Sequence, residues 1–246
     1  MNALTKLLTE TETGYLDAQE TMQVFKDNLS RVEKEYIKEN GTKVGFFKPN
    51  DSEGKILARQ IIAKWVGTLT SKQQVLTLPY VTWAMEKLIE MYTGYKFSYM
   101  ACERDLTIFK EMILNGKKWG KNNDFYYGAL ADKIKMAIEN QYSHLILDYC
   151  GMLTTFRREI VMAVTNNIVE VGGTISVTVI KARDKDIIDS CYNSSAKDES
   201  ISKTENAIRG FFVSLCNISD FEVVEVLTYQ GDTNVPMMLT VLKRTK

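Results

Sequence analysis

The chain has 246 residues, of which 45% are apolar and 25% charged, the balance of an ordinary globular protein with room for one large α/β domain and a small extension. Lys+Arg and Asp+Glu both total 31, so the formal net charge is zero. That excludes a protein held to nucleic acid by bulk charge and leaves only a local basic patch for such a partner.

No window approaches the roughly 20 apolar residues of a membrane span. The start, Met1-Asn-Ala-Leu-Thr-Lys6, has no apolar core behind it and does not read as a signal peptide. A cytoplasmic protein without membrane contact is expected. Cys102, Cys150, Cys191 and Cys216 form no CxxC pair, and His144 is the one histidine. Reduced thiols and no metal site are expected from that pattern.

Residues 1–66 read as an N-terminal helical extension. Met22, Phe25, Leu29, Val32 and Tyr36 recur at helical spacing, and Asn40-Gly41 supplies a stop. A loop follows through Pro49 to Gly54. Ile56, Leu57, Ile61, Ile62 and Trp65 then predict a second helix.

From about residue 72 strands and helices alternate, and residues 67–246 are expected to form one domain. Strands are predicted at 74–78, 97–102, 124–127, 144–147 and 174–180, with helices at 82–92, 106–114, 131–140 and 156–169 between them. Gly172-Gly173 reads as the stop of the last of these helices. Residues 182–202 are polar and read as a long loop. Ser202-x-x-Glu205 is a capping box that opens a helix with Ile208, Phe211, Phe212 and Leu215 on one face. Runs at 221–229 and 236–242, joined through Gly231 to Asn234, predict a closing antiparallel hairpin. Strands alternating with helices imply a parallel sheet with right-handed crossovers.

The chemistry concentrates at Tyr142-Ser-His-Leu-Ile-Leu-Asp148-Tyr149-Cys150-Gly151. A short apolar run ends in an acid, an aromatic, a small residue and a glycine. Open α/β sheets bind ligands at the carboxyl ends of their strands. Asp148 is therefore the first candidate site residue, and Glu103 in Tyr99-Met-Ala-Cys-Glu103-Arg-Asp105 is the second.

With these acids, the order of elements and the terminal hairpin, residues 72–246 resemble the class I, Rossmann-like S-adenosylmethionine-dependent methyltransferases. The resemblance implies a seven-stranded, mostly parallel sheet with a C-terminal antiparallel hairpin. It places Glu103 on the cofactor ribose and Gly128 and Ala129 beside the adenine. It makes Asp148 the acceptor that orients a target amine, with Tyr149 as a stacking face for a base and Cys150 and Gly151 lining the substrate loop. Other members carry Pro-Pro or Pro-Phe after the acid, where this chain has Tyr149-Cys150. The implied reaction is direct methyl transfer to a nucleic-acid base amine. The alternative is an inactive methyltransferase fold kept as a binding or interaction module.

The family's first turn is Gly-x-Gly-like. This chain has Leu78-Pro79-Tyr80-Val81-Thr82-Trp83 in its place, with no glycine. Non-glycine residues pay roughly 1–2 kcal/mol in a left-handed conformation, so the loop is expected to take another path. Backbone groups of Leu78, Pro79 and Tyr80 would then serve the cofactor. Glu86, one turn into the next helix, reads as a surface residue. Lys181, Arg183 and Lys185, with Arg157 and Arg158, form a candidate basic rim for a nucleic-acid substrate. Lys117-Lys-Trp119-Gly-Lys121 is a second candidate contact.

Overall fold

The computed structural model describes residues 52–68, 74–79, 81, 83–119, 124–149, 151–182, 184–191, 201–231 and 234–246. The predicted helix around Met22 to Tyr36, and the candidate residues Tyr80, Cys150 and Arg183, lie outside the described residues.

In chain order the elements are α1 (Glu53–Val66), β1 (Gln74–Thr77), α2 (Ala84–Thr93), β2 (Ser98–Glu103), α3 (Leu106–Lys118), β3 (Asp124–Tyr127) and α4 (Leu130–Met136). They continue with β4 (Tyr142–Asp148), α5 (Leu153–Thr165), β5 (Val169–Ile180), α6 (Lys185–Cys191), α7 (Lys203–Asn217), β6 (Phe221–Gln230) and β7 (Pro236–Arg244). One sheet runs β3-β2-β1-β4-β5-β7-β6. The strands from β3 to β5 are parallel, and β7 runs antiparallel between β5 and β6. The expected seven-stranded Rossmann-like sheet is present.

Side chains alternate between the two faces of the sheet. Leu76, Leu145, Leu147 and Val177 pack on one face under α4, α5 and α7. Val75, Tyr99, Ala101, Ile146 and Val241 pack on the other under α1, α2 and α3. Helix α1 buries Ile56, Ile62 and Val66 in that second layer, and Ser52 caps it by accepting from the amide of Lys55 at 3.2 Å.

Two expectations about the chain's punctuation are corrected. Gly172-Gly173 lies inside β5 and stops no helix. Helix α5 ends at Thr165, followed by Asn167 at φ 51°. A side chain at residue 173 would bring Cβ to within 2.1 Å of the Ser143 carbonyl oxygen, at the register shift between β4 and β5. The second correction is the polar segment after β5, which contains α6. Asp184 starts it: the amide of Ile187 donates to Oδ1 at 3.3 Å.

At the end of the sheet opposite the strand carboxyl ends, Arg244 is 4% exposed and ties three segments together. Its guanidinium donates to Asn140 Oδ1 at 2.6 Å, to the carbonyl oxygens of Asn167 at 3.1 Å and Val169 at 2.7 Å, and to Glu139 Oε1 at 3.1 Å. Among the described residues no helix is long and apolar enough to cross a membrane.

Candidate functional site

The parallel strands deliver their last residues to one edge of the sheet: Thr77, Glu103, Tyr127, Asp148 and Ile180. The loop after β1 passes through Leu78, half-buried, and Pro79, buried, and reaches Trp83. Trp83 holds φ 55° and ψ 30°, the left-handed conformation, at the start of α2. A left-handed residue in this glycine-free loop was not expected. The indole offsets its cost by full burial at 0% exposure. Its Nε1 donates to the Met112 carbonyl oxygen at 2.9 Å, and Tyr99 and Phe125 meet the ring edge-on at about 6 Å. Gly116 on α3 leaves the room: a Cβ there would lie 3.1 Å from the Trp83 ring.

Glu103 is at the end of β2, as expected. Its Oε1 accepts from the amides of Arg104 at 2.7 Å and Asp105 at 2.8 Å, and Oε2 has no hydrogen bond among the described residues. Gly128 follows β3 at φ 151°, and its amide donates to the Glu103 carbonyl oxygen at 3.0 Å. A side chain at residue 128 would put Cβ 2.9 Å from the Tyr126 ring, so glycine is required twice over. Ala129 then opens α4. Glu103, Gly128 and Ala129 are thus brought together at the β2–β3 end.

Asp148 closes β4 with its side chain on the face of Ile146, the α2 side. There it meets an acid that sequence reasoning put on the surface. Glu86 is 1% exposed. Its Oε1 accepts from the Thr77 hydroxyl at 2.5 Å, and its Oε2 is buried with no hydrogen-bond partner among the described residues. Burial pushes its carboxyl up to about 7, and the charge of Asp148 pushes the same way against the Thr77 hydrogen bond. The signal for Glu86 lay in the helical spacing: Ile89 and Leu88 are core residues, and Glu86 lies three before Ile89 on the same face.

Tyr149 is a correction. It is 4% exposed and does not present a stacking face. Phe156 covers its ring at 3.9 Å with planes 7° apart, and its hydroxyl donates to Glu159 Oε2 at 3.0 Å. Burial raises the Tyr149 phenol further above its ordinary range, as does the neighbouring Glu159. Gly151 completes the arrangement, since a Cβ there would stand 2.7 Å from the Phe156 ring.

The candidate basic rim is only partly present. Lys181 is paired with Glu205 Oε2 at 3.0 Å, and Arg209 takes Glu205 Oε1 at 2.9 Å. Burial works to raise the Glu205 carboxyl, but these two partners outweigh it and hold it below its usual value. Arg104, Arg157, Arg158 and Lys185 are exposed. Trp119, in the second candidate basic segment, has Tyr99 and Trp83 rings about 6 Å from its own and belongs to the aromatic core. Sequence reasoning also missed Asp184, 4% exposed, which accepts from the Thr154 amide at 3.0 Å and from its hydroxyl and so joins the starts of α5 and α6. His144 is fully buried near the start of β4, bonded through Nδ1 to Thr174 at 2.8 Å, and burial lowers it to about 3.

No family model matches the chain, and no curated protein matches it. Solved structures do. It is similar to an O-methyltransferase from Bacillus cereus in complex with SAH, at 10% identity and a TM-score of 0.52 over 99% of this chain and 98% of that one. It is also similar to an rRNA methylase from Streptococcus thermophilus, at 12% identity and a TM-score of 0.50 over 76% of this chain and 95% of that one. The strand order and these likenesses define the class I, Rossmann-like methyltransferase fold.

Proposed function

We propose that this protein is an S-adenosylmethionine-dependent methyltransferase whose acceptor is an amine of a nucleic-acid base. The carrying observation is the pair of acids at strand ends in this strand order, Glu103 after β2 and Asp148 after β4. Structures similar to it carry SAH or act on rRNA, which supports the cofactor and a polyanionic acceptor alike.

The residues present fit the cofactor at Glu103, whose Oε2 is open to the ribose hydroxyls while two amides fix Oε1. Gly128 and Ala129 supply backbone without bulk beside the adenine. Leu78 and Pro79 would flank the methionine part, with the N-terminus of α2, where Trp83 supplies no side-chain cap, facing its carboxylate. When bound, the cofactor supplies an electrophilic methyl group.

The chain's own work is positioning. The Asp148 carboxylate accepts a hydrogen bond from the acceptor amine and turns its lone pair toward the methyl group. The Tyr149–Phe156 stack, with Gly151, stiffens the loop that follows Asp148. Exposed Arg104, Arg157 and Arg158 favour a phosphate backbone near the site. The base itself must stack elsewhere than on Tyr149.

The test is calorimetric titration with S-adenosylmethionine and S-adenosylhomocysteine on the wild type and Glu103→Ala, followed by methyl transfer to an RNA and DNA pool with Asp148→Ala as control. Micromolar binding weakened by Glu103→Ala, and transfer abolished by Asp148→Ala, is the expected result. A second reading, a binding module on an inactive fold, is favoured by Trp83, a bulky residue held left-handed in the loop where the family has glycine. Absence of both binding and transfer would select it.

A further inference from the structure

Glu86 is a buried acid that the proposed reaction does not use. It sits where the ends of β1 and β4 meet: the last residue of β1, Thr77, donates to its Oε1, and the last residue of β4, Asp148, acts on its charge. The side chain stands in the first turn of α2, where the helix dipole favours an anion, yet Oε2 has no hydrogen-bond partner among the described residues. A buried carboxylate with an unpaired oxygen is costly, so burial keeps the acid protonated up to about neutrality. Such a group accepts a positive charge with a gain that a neutral ligand cannot supply.

Resting on the methyltransferase reading above, we propose that Glu86 is the group that distinguishes the cationic cofactor from its neutral product. When the sulfonium-bearing cofactor enters, the Glu86 carboxyl releases its proton to solvent and the carboxylate pairs with the positive charge. After transfer the sulfur is a neutral thioether. The carboxylate then takes one proton back, and the reason to retain the ligand is gone. The proton that restores the carboxyl is matched by the one the methylated amine gives up, and the one released to solvent on binding is the net product, so atoms and charge balance over the cycle. The charges acting on Glu86 are Asp148 from β4 and Lys87 from its own helix; Thr77 from β1 and the Tyr99 hydroxyl from β2, which donates to the Glu86 carbonyl oxygen at 3.1 Å, complete its polar surroundings. Lys87 is itself largely buried, over the Trp119 ring at 5.6 Å, and burial lowers it to about 8.

The experiment is calorimetry from pH 6 to pH 8 in two buffers of different ionisation heat, which counts protons released on binding. With the carboxyl at about 7 in the free protein, affinity for S-adenosylmethionine should fall about tenfold from pH 8 to pH 6, with most of one proton released at the acid end. S-adenosylhomocysteine should show neither effect, and Glu86→Gln should remove both. Thr77→Val, which keeps the acid but removes its donor, should move the pH dependence upward and serves if Glu86→Gln does not fold. Equal proton counts for the two ligands, or an unchanged pH dependence in Glu86→Gln, would overturn the inference while leaving the cofactor reading standing. Failure of the wild type to bind either ligand at any pH would overturn that reading and this inference with it.

Discussion

The Trp83 indole donates to the Met112 carbonyl oxygen at 2.9 Å, and this bond ties the left-handed start of α2 to the middle of α3. It explains how a loop without glycine reaches a conformation that glycine usually serves. Trp83→Gly should therefore destabilise the protein by about 3 kcal/mol or more, because the cavity outweighs the roughly 1 kcal/mol regained from relaxed backbone. Urea melts would show it. A glycine variant as stable as the wild type would mean that the indole is not what holds the loop.

The second prediction concerns the loop after β4. Gly151→Ala would place a methyl group 2.7 Å from Phe156 and force that ring off Tyr149. A loss of about 1–3 kcal/mol is expected. Phe156→Ala should cost less in the Gly151→Ala background than in the wild type, giving a coupling of at least about 0.5 kcal/mol in a double-mutant cycle. Additive effects would rule out the packing described.

Arg244 offers a stability test far from the site. Removing its guanidinium orphans the carbonyl oxygens of Asn167 and Val169, which it reaches at 3.1 and 2.7 Å. Arg244→Met should cost about 3–5 kcal/mol, the scale for breaking a buried charged network. Glu139, whose side chain is 61% exposed, should matter little, and Glu139→Gln should change stability by no more than about 1 kcal/mol. Thermal melts of both variants check the contrast.

The fourth prediction is the pH dependence of stability set by Glu86. Its carboxyl is raised from 4.5 to about 7 in the folded protein. The folded state thus holds more protons than the unfolded chain between these values. Stability falls as pH rises through that window and levels off above it. Glu86→Gln cannot ionise, so relative to the wild type it should gain on the order of 3 kcal/mol between pH 4.5 and pH 7.5. A constant difference between the two proteins across this range would refute the buried-acid assignment.

Period and punctuation made most of the sheet readable. The strand at 124–127 falls where the alternation put it, and Ser202 does cap α7 by accepting from the Glu205 amide at 3.2 Å. The acids at 103 and 148 were readable because a strand's apolar run ends visibly. What sequence could not show was direction. Tyr149 and Glu86 sit beside the site in sequence, but whether each turns inward depends on which neighbour covers it. Phe156 and Thr77 are those neighbours, and neither adjoins its partner in the chain. Gly172-Gly173 misled for a related reason: a glycine pair serves a bulge as readily as a helix stop, and only the Ser143 carbonyl oxygen across the sheet decides.

The placement of β7 between β5 and β6 gives this strand one local and one distant neighbour. Its contacts with β6 span only a short turn, whereas its contacts with β5 close a long loop. Local pairing closes a smaller loop than distant pairing and costs less entropy, so the β6–β7 hairpin is the cheaper of the two to form. Helix α1 bears on this hairpin as well as on α2, because the Ser52 hydroxyl donates to the Gln230 carbonyl oxygen at 2.6 Å and Gly54 lies against Tyr229. The first described helix of the chain is therefore braced against its last two strands, and damage to that hairpin is expected to loosen α1 as well.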